Sequence, residues 1–301
     1  MKRRTFFQAS FAVATVTALM ARAIAPEIAL ADGHVPDTIR FAVTDVVGLE
    51  ELRRDFEPFR DALEAATGKE IKFFPVADRA AAAVALQADQ VDVVLAGPAE
   101  YVVLRARTQA EPFIGLTRLN YRSVIAVRSD SGIASLEDLK GRKMAMSDIG
   151  STSGHLGPSQ ILAEAGLEPR SDVDVLMLGD ADLQAFENGD VDAWGGSALD
   201  YERFFEDKSN AATDFPILVK GESLPNDVFM ASDDLDPEFV ATLAQQMVNN
   251  QEALIDAIVS VESNRKYVGS SLIPAQDSDY DPMRVAYRAV GVNEFSEFIG
   301  D

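Results

Sequence analysis

Residues Ser151–Pro158 read Ser-Thr-Ser-Gly-His-Leu-Gly-Pro, directly after Gly150. Three hydroxyl residues in a row precede an apolar helical pattern of Leu156, Ile161, Leu162 and Ala165. A turn of this kind aims free backbone N–H groups and side-chain O–H donors at one point. The helix dipole adds partial positive charge there, so the point suits a small oxyanion such as phosphate or phosphonate. Plain helix capping accounts for the same residue types. A hydrolytic reading through Ser153 and His155 fails on geometry, because residues two apart at a helix start do not face each other.

Composition narrows the chemistry further. The 301 residues include no cysteine and only two histidines, His34 and His155. Disulfides, a cysteine nucleophile and cysteine metal sites are excluded, and little is left for a zinc or iron site. A lipid anchor on a processed N-terminal cysteine is excluded too. We expect no cofactor and no bound metal. The start of the chain reads as an export signal over residues 1–31. Lys2, Arg3 and Arg4 precede an apolar stretch at Phe11–Ala21 that is too short to span a bilayer, and Ala29-Leu30-Ala31 has a small-x-small form. Arg3-Arg4-Thr5-Phe6-Phe7 resembles a twin-arginine signal. Cleavage would remove four positive charges and one negative, taking the formal net charge from −22 to −25. So acidic a surface argues against nucleic acid or anionic lipid as partner, yet local donors can still hold a small buried anion.

The elements that must position the turn alternate between strand and helix. Strands are expected at Thr38–Val43, Ile71–Val76, Val91–Ala96, Pro112–Leu116, Ser123–Val127, Lys143–Met146, Val173–Leu178, Val191–Trp194 and Ile217–Val219. Helical patterns fall between them, with a long one over Glu238–Tyr267 and a polar, looped tail after Ser270. This is an α/β chain with a largely parallel sheet. Ligands in such sheets sit beyond the carboxyl ends of strands, where Thr44–Val47, Ala77–Arg79, Gly97–Glu100 and Ser147–Gly154 lie.

The order of elements, the Asp89–Pro98 run and Ser135-Leu136-Glu137-Asp138-Leu139-Lys140-Gly141 resemble type II periplasmic solute-binding proteins. The Gly150–Pro158 turn resembles the phosphate, phosphite and phosphonate binding subunits of ABC importers. That resemblance implies a type II periplasmic-binding fold, with two α/β lobes joined by two crossover strands. Lobe 1 would hold 37–119 plus 227–301, and lobe 2 would hold 120–226. It implies a soluble monomer in the periplasm, without a lipid anchor, that hands its ligand to a membrane permease. It assigns the oxyanion to the hydroxyls and amides of Ser151, Thr152 and Ser153, which are neutral donors. Tyr121 and Asp227 match positions at the two crossovers, and Asp200 lies close to a further acidic position. A carboxylate beside the anion requires a shared proton or an intervening ligand ammonium. His155 faces either the lobe or the ligand. The sequence departs from the family pattern at Ala181, where a histidine is common, and at Arg79, where a tyrosine is common. Arg79 is either an exposed helix-start residue or an inward partner for an oxyanion. Phosphite, phosphonate and phosphate remain open as ligands. So do another small solute on the same fold (a sulfonate, an amino acid or other zwitterion) and hydrolysis of phosphonate or phosphate esters.

Overall fold

The computed structural model describes residues 33–296. The export signal expected at 1–31 lies outside the described residues. Strand β1 (Thr38–Val43) carries Ile39, Phe41 and Val43 to one side, where they meet Leu52, Phe56, Phe59 and Leu63 of helix α1 (Leu49–Thr67). These helix residues recur at three- and four-residue spacing, the period that puts an apolar stripe on one face. Gly68 ends the helix in the left-handed conformation at φ +69°. Each of these buried aromatic side chains contributes roughly 2–3 kcal/mol by leaving water.

The chain continues through β2 (Glu70–Phe73), α2 (Ala81–Gln87), β3 (Val93–Ala96), α3 (Pro98–Arg107), β4 (Glu111–Leu116) and β5 (Arg122–Val127). Then follow β6 (Lys143–Met146), α4 (Gly157–Glu164), β7 (Asp174–Met177), α5 (Asp182–Asn188), β8 (Ala193–Ser197), α6 (Ala198–Phe205) and α7 (Ala211–Asp214). The last elements are β9 (Ile217–Ser223), β10 (Asp227–Ala231), α8 (Pro237–Asn249), α9 (Gln251–Val259), β11 (Leu272–Pro274) and α10 (Asp281–Ala289).

The strands form two sheets. One is six-stranded in the order β11-β4-β10-β3-β1-β2; the other is five-stranded in the order β7-β6-β8-β5-β9. The chain passes between them after β4 and again after β9.

Two sequence expectations are corrected. The sheets are mixed: β1, β2 and β3 run parallel, as do β6, β7 and β8, but β10 lies antiparallel between β3 and β4. Strand β5 likewise lies antiparallel between β8 and β9. Each antiparallel insertion is a strand entering a sheet straight from the crossing, without a helical crossover to turn it round. The tail after Ser270 is not a loop. It forms β11 and then α10, which buries Met283, Ala286 and Tyr287 against α3, α4 and the Thr152–Leu156 turn. Leu156 lies in the same apolar cluster as Tyr101, Tyr280 and Tyr287.

Candidate functional site

The Ser151 turn sits at the carboxyl end of β6, before α4. Its backbone widens into one π-helical turn over Thr152–Leu156, with the Leu156 N–H reaching the Ser151 carbonyl at 2.9 Å. Such turns are rare and concentrate at functional sites. Glycines make the packing possible. A Cβ on Gly154 would stand 2.5 Å from Ser147 Cβ, and one on Gly157 would stand 2.0 Å from Ser123 Oγ. The Ser151 hydroxyl accepts the Gly154 N–H at 3.2 Å, while the Ser123 hydroxyl donates to the Ser153 carbonyl at 2.9 Å. Capping and site geometry are thus present together.

Thr152 reaches across to the other sheet. Its Oγ1 accepts the Ala99 N–H, in the first turn of α3, at 3.0 Å. With that lone pair occupied, the hydroxyl proton is free to point elsewhere. The Tyr121 phenol stands beside the side chains of Thr152 and Ser153. Tyr121 is only 6% exposed, and burial raises its pKa, against the pull of Arg118. The Arg118 guanidinium lies 3.5 Å from the centre of the Tyr121 ring.

Arg118 extends the site into a charge cluster, buried at Asp227 and Glu100 and half-buried to exposed elsewhere, that the sequence did not disclose. Arg118 Nη1 stands 3.6 Å from Asp227 Oδ1, and the Tyr267 hydroxyl donates to Asp227 Oδ2 at 2.6 Å. Lys266 Nζ donates to Asp45 Oδ2 at 2.6 Å. Arg79 pairs with Glu100 at 2.5 Å and lies 3.6 Å from Asp148, which belongs to the loop after β6. Burial would raise the pKa of Asp45, but Lys266, Arg79 and Arg118 outweigh it and hold the carboxyl down to about 2. For Glu100 burial wins over Arg79, and its pKa is raised.

The eight residues expected from the sequence therefore separate. Thr152, Ser153, Tyr121 and, through Arg118, Asp227 come together. Ser151 caps the turn and, with Ser153 and Asp200, lines a pocket of about 190 Å³ that also holds Asp182 and Trp194. Asp200 is exposed in the first turn of α6, within electrostatic range of Arg118. Arg79 faces inward but is held by Glu100. His155 turns away. Its Nδ1 accepts the Gly150 N–H at 3.0 Å, and its ring lines a separate pocket with Ile149, Ser159 and Arg170. Trp194, weighed as part of an aromatic cage, is 1% exposed and packs beside Tyr201 in the core.

A family model described as the periplasmic substrate-binding protein of phosphonate ABC transporters matches residues 41–280. The chain belongs to this family. It is 28% identical over 314 residues to the phosphate-import protein PhnD of Mycolicibacterium smegmatis, covering 94% of this chain and 96% of that one. Among solved structures it resembles PhnD1 of Prochlorococcus marinus in complex with methylphosphonate. That match has a TM-score of 0.65 and 19% identity, over 84% of this chain and 98% of the other. It also resembles the periplasmic aliphatic sulphonate binding protein SsuA of Escherichia coli, with a TM-score of 0.60 and 18% identity, over 88% and 92%. At these identities the two structures show a shared fold. Among the described residues, no helix is long and apolar enough to cross a membrane.

The position of His155 in this transport-family scaffold has a measurable consequence. Burial, with a smaller contribution from the charge of Arg170, lowers its pKa to about 4 from an ordinary 6.5. The unfolded chain then binds the proton first as pH falls, so stability from this group is complete above about 6.5 and drains away toward about 4. Chemical denaturation should show lower stability at about pH 5 than at about pH 7, and His155→Asn should flatten that difference. Asp45 adds a second loss lower down, as pH falls from its ordinary 3.8 through about 2.

Proposed function

We propose that this protein captures a small phosphorus oxyanion between two closing lobes and delivers it to an ABC permease. The observation that carries the reading is the convergence of the Thr152–Ser153 turn, the Tyr121 phenol and the Arg118–Asp227 pair on one place between the two sheets. Residues 37–116 and 227–296 form one lobe and 122–223 the other, with the chain crossing at 117–121 and 224–226. Ligand-driven closure requires contacts that are tighter in the closed state than in the open one. The Ala99–Thr152 hydrogen bond and the Arg79–Asp148 pair are contacts of this kind.

The action is capture without turnover. His155, the basic group nearest Ser153 in sequence, is engaged by the Gly150 N–H and faces a different pocket. After export the protein works as a soluble periplasmic monomer with no lipid anchor. Calorimetric titration with phosphate, phosphite, methylphosphonate, 2-aminoethylphosphonate and sulfate tests the assignment. At least one phosphorus oxyanion should bind saturably; binding of sulfate and of none of the phosphorus oxyanions would contradict it.

Thr152→Val provides a residue-level test. Valine keeps the shape but leaves the Ala99 N–H without a partner when the lobes meet, at a cost of about 1–3 kcal/mol. Affinity should fall at least about tenfold, since each 1.4 kcal/mol is a factor of ten. Unchanged affinity would remove Thr152 from the closed site.

A further inference from the structure

The cavity that His155 lines has a volume of about 420 Å³ and brings together β7, the start of α4 and the end of α10. Strand β7 is the outer strand of its sheet, paired on one side only. Val173, Val175 and Met177 alternate along that edge, so their side chains turn to one face, and all three line the cavity. Ile149, Pro169 and Val290 complete its apolar wall.

Four polar side chains line the same space: His155, Ser159, Arg170 and Asp174. The His155 Nδ1 is taken by the Gly150 N–H, so the ring proton sits on Nε2. That donor has no acceptor among the described residues. Ser159 is 2% exposed, and its hydroxyl likewise has no partner among them. Arg170 forms no ion pair among the described residues, although the chain carries 49 acidic residues against 27 basic ones. Its guanidinium reaches across to the end of α10, where a Cβ on Gly291 would stand 3.7 Å from Arg170 Nη1. Asp174 is exposed and is not joined to Arg170.

Two neutral donors and one unpaired cation beside apolar walls call for an anion with an apolar body. A carboxylate presents two oxygens in one plane, and three donors are enough to satisfy them. Phosphate or sulfate would bring further oxygens against Val173, Val175 and Met177, where no side-chain donor waits. A second negative charge would also meet Asp174. An ammonium would face Arg170 and two donors with nothing to give them. We propose that this cavity is a second ligand site, for a small monocarboxylate with an aliphatic tail: Arg170, His155 Nε2 and the Ser159 hydroxyl hold the carboxylate, and the β7 edge takes the tail. The site stands independently of what the Ser151 turn binds.

Octanoate, octanol and octylammonium share a tail and differ in the head group. Titrating each into protein carrying isotope-labelled methionine methyl groups is the test, because Met177 lies in the cavity and Met177→Leu assigns its signal. Octanoate should bind with a dissociation constant below about 1 mM and shift the Met177 methyl resonance. Octanol should bind at least about tenfold more weakly, for want of a charge-assisted hydrogen bond, and octylammonium more weakly still. Arg170→Met, at an exposed position, should bring octanoate down to the level of octanol. Octanoate that leaves the Met177 signal unmoved, octanol or octylammonium that binds as well as octanoate, or a folded Arg170→Met protein with unchanged octanoate affinity would each overturn the proposal. If Arg170→Met does not fold, the order of the three probes on the wild-type protein decides alone.

Discussion

Arg118→Met should weaken binding of the phosphorus oxyanion at least about 100-fold, because a charge-assisted hydrogen bond in a buried cleft contributes about 1.5–3 kcal/mol and its Coulomb attraction adds to it. Methionine fills much of the same volume and can still lie on the Tyr121 ring, so the loss reports charge and not packing. Asp227 keeps its hydrogen bond from Tyr267 and stays near Lys266, which limits the damage to the unliganded protein. Arg118→Lys should recover little. A lysine cannot keep a planar group stacked 3.5 Å above Tyr121 while aiming a donor sideways at the ligand. Calorimetric titration with circular dichroism of the same samples checks both variants. Affinity within about threefold of wild type in a folded Arg118→Met protein would take the arginine out of the site.

The Arg79–Glu100 pair carries the second large effect, on stability. Glu100 is 1% exposed, in the first turn of α3, and Arg79 is its direct counter-charge. Arg79→Leu leaves that carboxylate buried, with Asp45 also repelling it. Breaking a buried pair from one side typically costs about 3–5 kcal/mol, and a loss of about 3 kcal/mol is expected at neutral pH. The sign of the pH dependence follows from the direction of the Glu100 shift. Its pKa is already raised, and without Arg79 it rises further, so the folded variant binds the proton more readily than the unfolded chain. The defect should therefore shrink as pH falls from neutral toward the ordinary glutamate value of 4.5. Arg79→Leu combined with Glu100→Gln should recover most of the loss, because no charge is then stranded. Urea denaturation across that pH range measures all three proteins. A loss that stays below about 1 kcal/mol, or grows on acidification, would mean that the pair is solvated in solution.

The turn was legible because its signal is local. Ser151, Thr152 and Ser153 are consecutive, and Gly154, Gly157 and Pro158 mark the strand-to-helix junction at the same place. Tyr121 and Asp227 came through the family resemblance, which aligns the crossings where they lie. Arg118 and Lys266 gave no such signal. Arg118 is a lone basic residue between β4 and β5, and Lys266 stands beside Arg265 at the end of a short 3-10 turn, Glu262–Tyr267, with no motif around either. They become a cluster only when β4 and the turn after α9 meet at Asp45 and Asp227. Arg118 therefore stands beside the neutral donors as a cation that the sequence did not single out. Arg79, expected either as an exposed helix-start residue or as an inward partner for an oxyanion, is half-buried against Glu100, a fact set by α3 and not by the neighbours of Arg79.

The tail was hidden by its charges. Asp277, Asp279, Asp281, Arg284 and Arg288 make the segment read as polar, yet Met283, Ala286, Tyr287 and Val290 repeat at three- and four-residue spacing and pack inward. Pro282 in the first turn was the local start signal. Strand β10 was passed over for the opposite reason. Asp227–Ala231 is buried along its whole length, and a short apolar run has no alternation to announce a strand.

The central claim is that one phosphorus oxyanion is held between the Thr152–Ser153 turn and Arg118. A crystal structure grown with methylphosphonate tests it most directly. A tetrahedral group is expected within about 3 Å of the turn donors and of the Arg118 guanidinium at once. Phosphonate density on one sheet only, away from Arg118, or in the His155 pocket instead, would contradict it.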